Sequence, residues 1–168
     1  MKILIGNIIA LIASVLMVYS GYVKNKKKIL IIQTIQIILF ALSDLVLGGI
    51  TGTIINIISS IRNILCYKGK LNIISKVILI ILSVVLSLYF NNLGIIGLLP
   101  LISNILYILF MNVKNVVKFK WLLITSTSLW VVYDFSIKAF LSVGFDFMCI
   151  ITNIVAIWQI KYKIKNNK

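Results

Sequence analysis

Asp44, Asp134 and Asp146 are the only three acidic side chains in a chain of 168 residues that carries 17 lysines and arginines. Each lies in or beside a strongly apolar run, where a carboxylate is costly and marks a pathway, a relay or a paired site. The scarce amides share that habitat. Asn56 and Asn63 are seven residues apart, which places them on one helix face with Ser59 and Ser60 between them. Asp146 and Asn153 repeat the spacing, with Cys149 between them. At 1.5 Å per residue each stripe spans about 10 Å of depth. An amide offers donors and an acceptor together, so Asn56, Asn63, Asp146 and Asn153 suit a cavity for a small polar solute. The alternative is that the same groups bond neighbouring helices to one another, at roughly 0.6 kcal/mol each.

Asp44 and Asp134 stand toward the outer ends of their runs. They are expected either as gate or proton-sensitive groups at a cavity mouth, or as helix-end aspartates in contact with water. Asp146 is the candidate for a buried, proton-carrying carboxyl. Trp130 and Tyr133 flank Asp134 within about one turn, where they wall the pocket or belong to an interfacial aromatic belt. Arg62 is a cytoplasmic-side charge, expected to snorkel to the inner interface or to meet backbone carbonyls there.

Several chemistries are excluded at this level. There is no histidine, and the two cysteines, Cys66 and Cys149, lie too far apart for a C-x-x-C site. Neither a metal nor another cofactor is expected. No nucleophile–base pair and no glycine-rich phosphate loop stands out, so an enzyme is not expected. A formal charge of +14 would suggest nucleic acid in a soluble protein. Here the basic residues fall in short loops between apolar runs and read as membrane topology instead, so nucleic acid is not an expected partner. The expected partners are the lipid bilayer, a small polar solute and further copies of the chain.

The elements that position these residues are legible from hydropathy. Hydrophobic residues make up 61% of the chain, against roughly 45–50% in soluble domains. Seven segments, 3–23, 29–47, 50–66, 73–90, 94–112, 121–138 and 140–160, are expected as transmembrane helices of an all-α integral membrane protein. The third and sixth are interrupted by polar residues. The first is expected as a retained helix, not a cleaved signal, because no small-x-small site precedes the KNKKK cluster. Pro100, inside the fifth segment, predicts a kink. Lysines follow the first, third, fifth and seventh segments, while the other side holds only Lys2 and Lys138. That alternation predicts an outer N-terminus and a cytoplasmic C-terminus.

The chain also repeats at an offset of 90 residues. Val113-Lys114-Asn115 falls on Val23-Lys24-Asn25, Lys118 on Lys28, Trp130 on Phe40, Asp134 on Asp44, Asp146 on Asn56 and Asn153 on Asn63. Rare polar residues match without a gap. The expected organisation is one membrane domain laid out as 3+1+3: a three-helix unit over 1–70, a linker helix over 71–92 and a second, parallel three-helix unit over 93–168.

The stretches SIRNIL (60–65), SLWVVYDF (128–135) and TNIVAIW (152–158), together with Asp146, resemble the YgjV-type bacterial inner-membrane protein family. The resemblance covers nearly the whole chain and is strongest over helices two, three, six and seven. It implies an acidic residue at Asp146 and a polar, often amide, residue at the place of Asp134. The 3+1+3 layout is also similar to SWEET and PQ-loop (MtN3-like) transporters, whose paired asparagines line a central site. By position that implies Asn63 and Asn153, with Asn56 beside them. The chain departs from those proteins in lacking a PQ dipeptide and every helix proline but Pro100. These features lead to a small secondary transporter or facilitator of a polar solute in the bacterial inner membrane. The alternatives are a receptor that does not translocate and a structural membrane subunit.

Overall fold

A computed structural model describes residues 1–22, 26–111, 113 and 115–166. Val23, Lys24, Asn25, Lys114 and Lys168, which figure in the repeat and in the basic loops, lie outside the described residues. Among the described residues seven α-helices follow one another: α1 (Lys2–Tyr22), α2 (Lys26–Leu47), α3 (Ile50–Tyr67), α4 (Ile73–Phe90), α5 (Leu99–Phe110), α6 (Val116–Ser136) and α7 (Phe140–Asn166). There is no strand among the described residues.

What lies outside and what lies inside is inverted relative to a water-soluble bundle. Ile8, Ile35, Val85 and Ile151 are among the many large aliphatic side chains that face outward, while Ser14, Ser43, Thr51, Asn63, Ser83 and Ser103 are fully enclosed. Lipid is the solvent that makes such an arrangement favourable, because backbone polar groups are satisfied within the helices and the remaining polar side chains turn inward. Helices α1, α2, α3, α4 and α7 are long and apolar enough to cross a membrane. Helix α6 has 21 residues but carries Thr125, Ser126, Thr127, Ser128 and Asp134.

The fifth segment differs from expectation. It is shorter, running from Ile96 to Phe110, and opens with a 3-10 turn over Ile96–Leu98. Pro100 lies in the first turn of α5 and so starts a helix where a kink was expected. At that position the missing N–H costs nothing and the fixed φ favours helix.

Around the bundle α1 packs on α2, α2 on α3, α3 on α5, α5 on α6, α6 on α7, and α7 returns to α1. Helix α4 lies outside this ring against α3 and α5. The α1–α2 contact is close because small residues line it. A Cβ on Gly6 would come within 2.6 Å of the Leu47 side chain, and Ser43 Oγ donates to the Gly6 carbonyl at 2.8 Å. Such small-residue contacts let helix backbones approach where no hydrophobic force drives association.

The turns after α2 and after α6 have the same build. Gly48 (φ 84°) and Lys138 (φ 63°) are both left-handed and occupy matching places at the 90-residue offset. Gly49 N–H bonds the Asp44 carbonyl at 2.7 Å, and Ala139 N–H bonds the Asp134 carbonyl at 2.9 Å. The Gly48 and Lys138 N–H groups in turn donate to the Leu45 and Phe135 carbonyls. These paired bonds are the Schellman stop, which satisfies carbonyls that a helix end would leave bare.

Candidate functional site

The three acids converge from three helices. Asp44 on α2, Asp134 on α6 and Asp146 on α7 are all buried. The water-exposed helix-end alternative for Asp44 and Asp134 is therefore not what the fold shows. Asn56, in the second turn of α3, donates through Nδ2 to Asp44 Oδ2 at 2.8 Å. Asp134 and Asp146 bring their carboxyl groups within hydrogen-bonding reach of each other. The two contacts join residues 12 apart and fall on one another at the 90-residue offset, Asp44 with Asp134 and Asn56 with Asp146. They differ in chemistry. The first is a complete amide–carboxylate bond. The second joins two acceptors unless a proton lies between them. Asp146 Oδ2 accordingly accepts no hydrogen bond from any donor among the described residues.

Tyr133 closes this cluster. Its side chain is fully buried, its ring meets Trp130 edge-on at 5.6 Å, and its hydroxyl accepts from Gly52 N–H at 2.8 Å. Gly52 lies in the first turn of α3, where backbone N–H groups have no partner within the helix. A hydroxyl from α6 thus caps α3 from a distance, and the positive end of α3 lies beside Asp44. The approach requires glycine. A Cβ on Gly52 would sit 2.6–2.7 Å from Tyr133 and from Asp44 Oδ2.

The other constellation lies deeper along α3. Arg62 is six residues beyond Asn56, about 9 Å of rise. Its side chain is 4% exposed and, among the described residues, bonds side-chain amides rather than backbone carbonyls. Nη1 donates to Asn104 Oδ1 at 2.7 Å, while Nε and Nη2 donate to Asn63 Oδ1 at 3.3 and 3.1 Å. The guanidinium lies 4.5 Å from the Tyr107 ring centroid, a cation–π contact. Asn104 is itself fixed: Oδ1 accepts from Ser59 Oγ, and Nδ2 donates to Ser83 Oγ on α4. Asn63 Nδ2 is buried and has no partner among the described residues.

Asn153 is not brought into either group. Its Nδ2 donates to the Cys149 carbonyl at 2.8 Å, and its Oδ1 accepts from Lys120 Nζ at 3.2 Å. It shares with Asn63 the feature of an amide oxygen turned to a cation. The stripes read from the seven-residue spacing are thus real in burial but split in partnership: Asn56 serves the acids, Asn63 serves Arg62.

Three participants escape a reading of the sequence alone. Asn7 Nδ2 donates to the Lys138 carbonyl at 3.2 Å, and its Oδ1 accepts from Leu141 N–H, so α1 caps α7. Asn92 Nδ2 donates to the Gly48 carbonyl at 3.0 Å. Each left-handed turn residue therefore takes an amide from outside its own run of three helices. Asn104 is the third. Asn7 and Asn104 are single amides in apolar runs, the same signal that singles out Asn63, while Asn92 follows Asn91 between two such runs. The repeat does not pick them out, because none meets an amide at the 90-residue offset: Asn7 falls on Gly97, Asn92 on Lys2 and Asn104 on Ser14.

A family model described as a bacterial inner membrane protein, Imp-YgjV, matches residues 4–164, and the chain belongs to that family. No curated protein and no solved structure matches it.

Proposed function

We propose that this inner-membrane protein is a small secondary transporter or facilitator that passes a small polar solute between two parallel three-helix repeats, α1–α3 and α5–α7, with α4 as their linker. The observation that carries the reading is the unequal content of its interior. Polar and charged side chains sit at two depths along α3, and both groups retain unsatisfied hydrogen-bonding atoms, Asp146 Oδ2 and Asn63 Nδ2. Packing alone selects satisfied groups in hydrocarbon, since an unpartnered one costs several kcal/mol. Atoms held unpaired in one state are those a passing solute or proton would meet. The matching turns at Gly48 and Lys138 support two like units that rock against each other. The alternating basic loops support an outer N-terminus and a cytoplasmic C-terminus.

A structural subunit is the second reading. It is favoured by the contacts in which interior polar groups satisfy one another, such as Ser103 with Ser126 at 2.6 Å. Solute uptake by the purified chain in liposomes separates the two. Flux from a metabolite panel that falls roughly tenfold or more in Asn63→Ala and Asp146→Ala, with melting temperature held, supports transport. Absence of flux across the panel supports the subunit.

A further inference from the structure

Resting on that transporter reading, we infer that Arg62 and Asn63 bind a small carboxylate anion, one per chain, at the inner side of the acid cluster. A guanidinium stays charged, so burial leaves it in need of a counter-charge. Arg62 has none among the described residues: its three hydrogen bonds all end on neutral amide oxygens of Asn63 and Asn104. Two of its five N–H groups have no acceptor among the described residues, and Asn63 Nδ2 beside them is a further buried donor without one. The site thus holds spare donors and a permanent positive charge. A neutral solute such as a sugar would leave the charge uncompensated. A planar carboxylate matches the guanidinium fork and supplies the missing charge. The acids do not serve, since Asp44 is held by Asn56, about 9 Å nearer the other end of α3.

The Ser59–Asn104–Ser83 chain fixes the amide oxygen that orients Arg62, and the Tyr107 ring supports the guanidinium face. This is a prepared geometry, not a long side chain that happens to be enclosed. Position 152, where the 90-residue offset would set a second arginine, is Thr152, so the second half carries no equivalent.

The test uses the full chain in detergent with sodium pyruvate as probe, against sodium chloride at equal ionic strength and glucose at equal osmolality. A carboxylate that binds the folded state should raise the melting temperature saturably, by about 3–6 °C at ten times its Kd. Chloride should give a smaller rise and glucose none. Asn63→Asp sets a carboxylate against Arg62 permanently; it should melt higher without pyruvate and lose the pyruvate response. Arg62→Gln, if it folds, should lose the response too. A rise that chloride matches, no rise with pyruvate, or an Asn63→Asp variant that keeps the wild-type response would overturn the site. Liposome flux is read in parallel. A saturable pyruvate response without flux keeps the site and ends the transporter; flux of a neutral solute without a pyruvate response does the reverse.

Discussion

Asp146 and Asn56 occupy matching places and make matching contacts, yet one is an acid and the other an amide. The difference fixes an expectation of sign. Asp146→Asn would give Asp134 the donor that Asn56 gives Asp44, converting an acceptor–acceptor contact into an amide–carboxylate bond worth about 1.5–3 kcal/mol. Thermal denaturation should show a more stable protein. Asn56→Asp does the opposite, leaving Asp44 without its donor, and should destabilise by about 1–3 kcal/mol. If both variants melt alike, the two contacts are not the counterparts described. That Asp146 would be buried was legible from its rarity in an apolar run, while the burial of Asp134 was one of two expectations. Their mutual contact was not, because nothing in the spacing of residues on separate helices states which faces meet. Arg62 shows the same boundary more sharply. Its position near a helix end argued for snorkelling, but Asn104 and Tyr107 on α5, together with the neighbouring Asn63, hold it inward.

Helix length and helix stops are where local chemistry governs most directly. Most of the segments were legible to within a turn or two, since apolar runs bounded by lysines or by Gly48 and Gly69 leave little choice. The fifth was not, because hydropathy is blind to backbone: the run from 94 to 112 is mostly apolar, but its first part forms a 3-10 turn and Pro100 sets the helix start. At the α6 stop, Lys138 holds a left-handed conformation at a cost of about 1 kcal/mol that glycine avoids. Lys138→Gly is expected to raise stability by about 0.5–1 kcal/mol in a detergent melt, and Gly48→Ala to lower it by a similar amount. At the start of α3, Gly52→Ala drives a methyl into Tyr133 and Asp44, both buried, so a loss of about 1–3 kcal/mol is expected. An alanine variant that melts like the parent would mean that Tyr133 does not seat on the first turn of α3.

Across the whole molecule, a ring of six helices with α4 outside it encloses two polar groups, acids toward the Gly48 and Lys138 turns and the Arg62 cluster toward the Gly69 turn. The expected orientation is checked by tags at each end: proteolysis of intact cells should remove an N-terminal tag and spare a C-terminal one. The measurement that bears most directly on the account asks whether water and solute reach this interior from both sides. In a background with Cys66→Ser and Cys149→Ser, single cysteines at Asn56 and at Asn63 are treated with a membrane-impermeant thiol reagent, added outside or inside sealed liposomes. Alternation between two open states predicts that each position reacts from either side. Reaction at neither position from either side, in protein that still melts cooperatively, would contradict it and leave a packed scaffold.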